Sequence, residues 1–250
     1  MKGIPDKSVD MVLTSPPYDN LRDYKGYTFN FEGIAQEIYR VLKDGGVCVW
    51  IVGDATIKGS ETGTSFKQAL YFKDIGFNLH DTMIYEKANF GMPAQTRYHQ
   101  IFEYMFVFSK DKLATFNPIE DKRNVWGGST CFGVNTVREV NGTMKDLGYR
   151  NVVNNFGMRN NIWRLNTVGQ ENVCESLPHP AMFPERLAKD HILSWSNEND
   201  LVYDLFMGSG TTAKAAHQLK RRWIGSEISE EYVELANKRL EPYLAQESLF

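Results

Sequence analysis

The chain has 250 residues, of which 42% are hydrophobic and 24% are charged, and its formal net charge is −3 at pH 7. This composition is ordinary for a globular protein with one substantial core, and it excludes the disordered and fibrous classes. No apolar run approaches the ~20 residues that span a bilayer, and the N-terminus lacks the pattern of a secretion signal. We therefore expect a cytoplasmic protein.

The charges are unevenly distributed along the chain. Residues 110–170 carry nine basic and five acidic side chains, whereas the segments before and after them have net charges of −2 and −5. Because Lys and Arg neutralise phosphates, the middle segment is the one suited to nucleic acid. The three cysteines, Cys48, Cys131 and Cys174, are far apart and lack metal-ligand spacing. We interpret them as small core residues and predict neither disulfides nor a metal site.

Strand and helix patterns alternate in two regular parts of the chain. In the first part, VDMVLT at 9–14 is a short apolar run that stops at Ser-Pro-Pro, which predicts a buried strand ending in a loop. It is followed by a helix from 31 that Gly45-Gly46 closes, a strand at 47–53, a helix at 66–75 and strands near 79–86 and 104–109. The second part predicts helices at 184–195, 211–220 and 230–240 and strands at 201–206 and 222–228. This alternation indicates an α/β fold with a largely parallel sheet. Between about 111 and 170 the regular pattern is lost, which indicates an inserted lobe.

Gly208 and Gly210 stand between an apolar strand and a helix, in LVYDLFMGSGTTAKAA. Glycines let a ligand approach the backbone, and a helix N-terminus offers free N–H groups. Glu227, which ends the following strand, is placed to bind ribose hydroxyls, so the pattern predicts a nucleoside cofactor without choosing between NAD and S-adenosylmethionine. Asp204 favours S-adenosylmethionine over NAD, because a carboxylate repels the pyrophosphate of NAD and suits the ammonium and sulfonium groups of S-adenosylmethionine. A role for Asp204 in orienting the loop stays open.

Ser15, Pro16, Pro17 and Tyr18 form a loop with the means to act on an aromatic amine. Methyl transfer to such an amine requires that the nitrogen lone pair be withdrawn from the ring. The Ser15 hydroxyl and the Pro16 carbonyl can accept its two N–H hydrogens, and paired prolines stiffen the loop. Tyr18 would stack on a base flipped out of a duplex. By itself the segment could be a surface turn, but it follows a predicted parallel strand, so we expect it at the same sheet edge as the glycine loop.

These motifs resemble the S-adenosylmethionine-dependent amino-methyltransferases of DNA, in the permuted group whose catalytic loop precedes the cofactor loop. The similar segments cover nearly the whole chain and are TSPPYDNLRDY, EIYRVLKDGG, VCVWIVGDA, IFEYMFVFSK, HPAMFPERL, DLFMGSGTT and RWIGSEISEEY. The resemblance implies a Rossmann-like methyltransferase fold, with a mixed, mostly parallel sheet of seven strands, one of them antiparallel, and helices on both faces. It also implies a catalytic half at 1–110, an inserted target-recognition lobe at 111–170 and a cofactor-binding half at 171–250.

The resemblance assigns roles by position. The catalytic loop is Ser15, Pro16, Pro17 and Tyr18. The residues that would bind S-adenosylmethionine are Asp204, Phe206, Gly208, Gly210, Thr211, Thr212 and Glu227, with His179, Pro180 and Phe183 on the methionine side. His179 could otherwise be a solvated loop histidine.

The predicted lobe supplies candidates for contacts with double-stranded DNA. For phosphates or guanines these are Arg123, Arg138, Arg150, Arg159 and Arg164, and the candidate base readers are Asn154, Asn155, Asn160 and Asn161. Each could equally be a solvated surface residue. Trp126 and Trp163 could stack on bases, but core packing is the favoured interpretation of both.

The implied activity is site-specific methylation of an exocyclic amino group on a flipped base. Ser15 in place of an Asp favours cytosine N4 slightly over adenine N6. Family members usually have a strand with a Gly-Asp-Cys-like motif just before the segment that matches residues 2–10, so we expect weaker binding of S-adenosylmethionine here. The alternatives are a weakened or inactive DNA-binding relative, a nicotinamide-dependent oxidoreductase and an RNA methyltransferase. A homodimer and a cognate restriction endonuclease are compatible with the resemblance.

Overall fold

The computed structural model describes residues 1, 3–17, 29–88, 96–130, 136–147, 152–166 and 183–247. The chain divides into two compact units. The main unit comprises Met1–Asn117 and Asn161–Phe250, and the inserted unit comprises Pro118–Asn160.

The main unit is built on a seven-stranded mixed sheet. Its strands are β1 (Val9–Thr14), β2 (Leu42–Val52), β5 (Phe77–Lys87), β6 (Phe102–Lys110), β11 (Ile162–Leu165), β12 (Leu201–Asp204) and β13 (Arg222–Gly225), and β3 (Thr56–Ile57) and β4 (Ser60–Glu61) form a separate small hairpin. The strand order is β11-β5-β6-β2-β1-β12-β13, and only β6 runs antiparallel to its neighbours. The predicted Rossmann-like methyltransferase sheet, mostly parallel with one antiparallel strand, is confirmed.

Helices cover both faces of this sheet. Among the described residues they are α1 (Phe31–Val41), α2 (Thr64–Asp74), α3 (Glu185–Trp195), α4 (Thr211–Gln218) and α5 (Glu230–Glu247). Along β1, Met11 packs in a cluster with residues of α3 and α4, whereas Val12 packs in a second cluster with residues of α1 and α2. Successive strand residues point to opposite faces, so a strand covered on both faces favours apolar residues at consecutive positions, which explains the run Met11–Leu13 in β1.

Helix α1 ends at Val41, before the Gly45-Gly46 pair that the sequence suggested as its end. The Lys110 ammonium group donates to the carbonyl oxygens of Tyr39 and Leu42 at 2.6 and 2.9 Å, and so satisfies acceptors at the helix terminus. The glycines instead lie within β2, where the register against β1 shifts. A Cβ at Gly45 would stand 2.7 Å from the Ala114 Cβ, so glycine there permits a close approach of two segments.

The seventh strand, β11, comes from the segment that the sequence placed within the lobe. It pairs in parallel with the edge of β5 through Ile162 and Ile84. Trp163 is only 5% exposed and belongs to the core, as predicted. Four residues of alternating burial are too short to stand out as a strand in an Asn-rich context.

The inserted unit contains two small antiparallel pairs. β7 (Lys122–Arg123) pairs with β10 (Phe156–Gly157), and β8 (Thr136–Arg138) pairs with β9 (Met144–Asp146). The prediction that Trp126 packs in a core is wrong, because its side chain is 73% exposed. Trp126 stands in a short turn after β7 and not on a helix or sheet face, so it has no apolar layer to enter.

Two further sequence predictions can be compared with the structure. Cys48 is buried in the main unit, as expected, whereas Cys131 and Cys174 lie outside the described residues. Within the described ranges, no helix combines the length and the apolar character that a membrane span requires.

Candidate functional site

Two neighbouring strands bring the predicted catalytic and cofactor segments to one edge of the sheet. β1 and β12 are parallel, with Met11 opposite Val202, so their carboxyl ends lie side by side. Thr14 is the last residue of β1 and Asp204 is the last residue of β12. Loops that follow adjacent parallel strands form the crevice in which open α/β sheets bind ligands.

Asp204 joins these two segments through hydrogen bonds. Its Oδ1 accepts from the Thr14 hydroxyl at 2.7 Å and from the Phe206 N–H at 3.1 Å, and its Oδ2 accepts from the Thr212 hydroxyl at 2.6 Å. Asp204 is 3% exposed, and burial raises the pKa of its carboxyl above the ordinary value although these three donors oppose the rise. In this structure Asp204 therefore orients the loops, which is the role that the sequence left open, and its contact with a cofactor stays a prediction.

The catalytic loop leaves the sheet directly after Thr14. Ser15 and Pro17 are half-buried and Pro16 is buried. The two prolines lack N–H groups and end the strand, so the backbone turns out of the sheet at a fixed place. Tyr18 lies outside the described residues.

The glycine loop connects Asp204 to α4. Gly208 and Gly210 have φ angles of +49° and +79°, and Gly210 is the N-cap of α4. These left-handed angles favour glycine, and they leave Thr211 and Thr212 in the first turn of the helix, where N–H groups are free of helical partners. Both threonines are buried.

Glu227 follows β13 and turns back toward the glycine loop. Its Oε2 accepts from the Gly208 N–H at 2.9 Å, and its Oε1 accepts from the N–H groups of Ile228 and Ser229 at 2.8 and 3.0 Å. A carboxylate can accept more than three hydrogen bonds, so this arrangement keeps capacity for a ligand hydroxyl.

The remaining cofactor candidates have different settings. Phe206 is half-buried, and its ring meets that of Phe29 edge to face with centroids 5.7 Å apart. Phe183 is partly buried against the core cluster that contains α3. His179 and Pro180 lie outside the described residues.

Sequence reasoning missed a charged cluster behind the glycine loop. From α5, Arg239 donates to the Ser209 carbonyl at 3.2 Å and to the Thr211 hydroxyl at 2.9 Å. From α3, Glu185 lies 2.8 Å from Lys214 of α4, and this lysine side chain is almost fully buried. Charges on helices usually face solvent, so the sequence carried no sign that these three helices bury them together.

A second missed residue is Gly225, at the end of β13. A Cβ there would stand 1.9 Å from the Met207 sulfur, so any other residue would require the Met207 side chain to move. The segment RWIGSE contains the signal, because a glycine at a strand end marks a close approach.

The arginines proposed for DNA contacts fall in both units. In the inserted unit, Arg123 and Arg138 are exposed, whereas Arg159 is paired with Asp121, with Nε 3.0 Å from Oδ1. In the main unit, Arg164 lies on β11, 3.5 Å from Glu86. Arg150 lies outside the described residues.

The sheet order, the two loops at one edge and the carboxylate between them define a methyltransferase domain of the Rossmann-like type. Residues 9–238 match the family described as DNA methylase, which comprises N6 and N4 methyltransferases. The chain belongs to this family and is a DNA methyltransferase.

Relatives with known names agree with this placement. The chain is 54% identical over 245 residues to the orphan methyltransferase M.BamHII of Bacillus amyloliquefaciens, covering 97% of this chain and 92% of that protein. It is 30% identical to the Type II methyltransferase M.HpaI of Haemophilus parainfluenzae, over 96% of this chain and 71% of that protein. It is 29% identical to the DNA adenine methyltransferase YhdJ of Escherichia coli, over 96% of this chain and 79% of that protein.

Solved structures have the same fold. The PvuII DNA methyltransferase, which is cytosine-N4-specific, has a TM-score of 0.67 at 21% identity, covering 95% of this chain and 81% of that one. The M1.HpyAVI–SAM complex has a TM-score of 0.61 at 25% identity, covering 96% and 91%. Family membership excludes a nicotinamide-dependent oxidoreductase, and because these relatives are named as methyltransferases the comparisons do not favour an inactive DNA-binding relative.

Proposed function

We propose that this enzyme transfers the methyl group of S-adenosylmethionine to the exocyclic amino group of a base flipped out of double-stranded DNA, at a specific sequence. The catalytic loop is Ser15 to Tyr18, and the cofactor loop runs from Asp204 to Thr212. This chain order is that of the permuted group. Cytosine N4 is slightly favoured over adenine N6 as the target atom.

The observation that carries the proposal is the hydrogen-bonded path from Thr14 through Asp204 to Thr212. It ties the strand that ends at the catalytic loop to the helix that begins at the glycine loop, through contacts of 2.7 and 2.6 Å. Methyl transfer needs a donor and an acceptor in line, so rigid attachment of the two loops to each other supports this chemistry.

The residues at the glycine loop fit S-adenosylmethionine by their chemistry. Gly208 presents backbone without a side chain, and the Glu227 carboxylate beside it suits the two hydroxyls of a ribose. Asp204 adds a buried carboxyl that favours a cationic ligand nearby. When bound, the cofactor supplies a methyl group activated by its sulfonium sulfur.

The acceptor side depends on groups that draw the amine out of conjugation. The Ser15 hydroxyl oxygen and the Pro16 carbonyl oxygen are the proposed acceptors for the two N–H hydrogens. Held this way the nitrogen becomes pyramidal and its lone pair is available to attack. Once the methyl group has left the sulfonium sulfur for this nitrogen, the nitrogen would lose one proton to a loop or water acceptor. Pro17 restricts the loop, and the ring of Tyr18 would hold the base by stacking.

Similar proteins include both an adenine methyltransferase and a cytosine-N4 methyltransferase. The target base of this enzyme is therefore to be identified by experiment. A cognate restriction endonuclease and a homodimer stay predictions, and relatives are named both as orphan and as Type II methyltransferases.

The test is methylation of unmodified plasmid DNA with labelled S-adenosylmethionine, followed by mass spectrometry of the nucleosides. We expect N4-methylcytosine or N6-methyladenine from the parent protein and little from Ser15→Ala. Ser60→Ala, on the exposed hairpin strand β4, is the matched control and should retain parental activity. Label in neither base, or equal label in the parent and Ser15→Ala, would overturn the proposal.

A further inference from the structure

The turn that follows β7 holds two large apolar side chains in solvent. Val125 is 88% exposed and Trp126 is 73% exposed. Exposing a tryptophan forgoes a large hydrophobic gain, so adjacent exposed apolar side chains on one turn make it a candidate contact surface.

The turn is rigidly built. The Gly127 N–H donates to the Asn124 carbonyl at 3.2 Å, and the Ser129 N–H donates to the Trp126 carbonyl at 3.0 Å. The Gly128 N–H donates to the Val153 carbonyl at 2.8 Å and so ties the turn to the facing segment. Trp126 is therefore displayed on an ordered backbone, which lowers the entropy lost on contact with a partner.

Two glycines make this geometry possible. A Cβ at Gly127 would stand 2.8 Å from the Asn155 Cα, a contact that side chains do not tolerate. Gly128 has a φ of +81°, in the left-handed region. The consecutive glycines thus allow the turn to lie directly against residues 153–155, just before β10.

Beside the turn is a cavity of about 670 Å³, lined by Arg123, Asn124, Val125, Gly127, Asn155 and Phe156. Arg123 and Asn155 are exposed, and no hydrogen bond or ion pair of either side chain is found in the part of the chain that the structure describes. Arg159 differs, because Asp121 already holds it. Arginine and asparagine are the side chains that form bidentate pairs with guanine and adenine edges.

Charge favours DNA as the occupant of this surface. The inserted unit, 118–160, contains six basic and four acidic residues, although the whole chain has a net charge of −3. A segment with a net positive charge, an exposed aromatic ring and exposed Arg and Asn side chains is complementary to nucleic acid.

We infer that the Asn124–Gly128 turn contacts the target DNA, that Trp126 stacks on a base there, and that Arg123 and Asn155 read base edges and so determine the methylated sequence. This inference rests on the proposed function and deepens it. Flipping a base opens the stack around it, and an aromatic face can occupy the opened space.

Substitution of Trp126 tests the stacking contact. Stacking of one base on an aromatic ring corresponds to about 1–3 kcal/mol, which is about 5- to 150-fold in affinity. We expect Trp126→Ala and Trp126→Leu to lower kcat/KM for plasmid DNA by at least about fivefold, whereas Trp126→Phe keeps most of it. KM for S-adenosylmethionine should not change. Equal losses in the Leu and Phe variants would show that the ring acts only as an apolar surface, and would overturn the stacking claim.

Val140→Ala is the matched control for exposure. Val140 is also an exposed apolar residue in a turn of the inserted unit, between β8 and β9, but it does not line the cavity. We expect parental activity and parental unfolding from this variant. An equal loss in Val140→Ala and Trp126→Ala would refute a specific role for Trp126.

Substitution of Arg123 and Asn155 tests the reading of sequence. Loss of one bidentate base contact relaxes discrimination by about tenfold, so Arg123→Ala and Asn155→Ala should methylate sites that the parent leaves unmodified. Sequencing of modified bases in the plasmid measures this. An unchanged set of sites in both variants would overturn the specificity claim.

The same variants separate failure of this inference from failure of the proposed function. If the parent methylates DNA and Trp126→Ala matches it, only the inference fails. If the parent methylates no DNA, the proposed function fails, and titration of end-labelled fragments of the same plasmid decides the inference. Weaker binding by Trp126→Ala than by the parent supports the inference, and equal binding overturns it.

Discussion

Replacement of Thr14 by Val removes one hydroxyl from the junction between the catalytic and cofactor loops. Thr14 is fully buried, and its hydroxyl donates to Asp204 at 2.7 Å. A hydrogen bond to a charged group contributes about 1.5–3 kcal/mol, and Asp204 is too buried for water to replace the donor. We therefore expect the free energy of unfolding of Thr14→Val to fall by about 2 kcal/mol, measured by urea denaturation at pH 7.

The same change should slow methyl transfer. If the whole energy of the Thr14–Asp204 hydrogen bond is lost from the transition state, kcat falls by about 10- to 150-fold, and we expect a smaller change in KM for DNA. Thr14→Ser keeps the hydroxyl and loses one methyl group, so it should keep most of the activity and lose about 1 kcal/mol of stability. Thr136→Val, at an exposed position of β8, is the control for the substitution itself.

The deficit should also depend on pH. Burial raises the pKa of Asp204 above its ordinary value of 3.8, and loss of the Thr14 donor raises it further. Ionisation of Asp204 then opposes folding more strongly in Thr14→Val than in the parent. The stability deficit of the variant is therefore smallest below pH 3.8, and it grows as the pH rises through the pKa of Asp204 in the folded parent and then in the folded variant.

The opposite donor completes the experiment. Thr212→Val removes the other hydroxyl on Asp204, and because both variants act on one carboxylate their effects should be non-additive by at least about 0.5 kcal/mol. Additive losses, or a loss in Thr14→Val below about 0.5 kcal/mol with unchanged kcat, would refute the view that Asp204 joins the loops.

Three other outcomes are expected. Glu185→Gln should lower the free energy of unfolding by about 2 kcal/mol at pH 7, because Lys214 loses the carboxylate that lies 2.8 Å from its ammonium group. Burial raises the pKa of Glu185, but the hydrogen bonds from Lys189 and Lys214 outweigh burial and lower it below the ordinary value of 4.5. Urea titrations should therefore show the difference in stability shrinking below pH 4.5, and a difference that grows there would contradict this. Gly210→Ala should lower the free energy of unfolding by about 1–2 kcal/mol, because Gly210 has a φ of +79°, and calorimetry should show weaker binding of S-adenosylmethionine. Gly59→Ala is the control, because Gly59 also has a positive φ but lies in the β3–β4 turn. It should lose stability without a change in cofactor binding. Cys48 should resist N-ethylmaleimide in the native protein and react with it in urea, because the thiol is buried and burial raises its pKa. Peptide mass spectrometry measures this, and labelling of Cys48 in the native protein would disprove its place in the core.

Much of the fold, and the two main loops, could be predicted from local patterns in the sequence. The consecutive apolar residues Met11–Leu13 of β1 and Val202–Tyr203 of β12 are buried, because these strands are covered on both faces. Gly208 and Gly210 were recognisable because their positive φ angles restrict the choice of residue. In each case the physical demand falls on the residue itself and is visible without its neighbours in space.

Longer-range features could not be predicted in this way. β11 is four residues long, and its burial depends on the edge of β5. The exposure of Trp126 depends on a turn that lies against Asn155, about thirty residues later in the chain. Arg239 resembled any helix-surface arginine until its contacts with Ser209 and Thr211 were known.

The sequence by itself determined the alternation of strands and helices, the composition of the loop at Ser15 and that of the loop at Gly208. Only the tertiary structure decided that Asp204 directs its carboxylate to the hydroxyls of Thr14 and Thr212. The reason is that Thr14 and Asp204 are 190 residues apart, and β1 and β12 become neighbours only when the sheet forms. A hydrogen bond of that range has no counterpart in local sequence, because it depends on strand order.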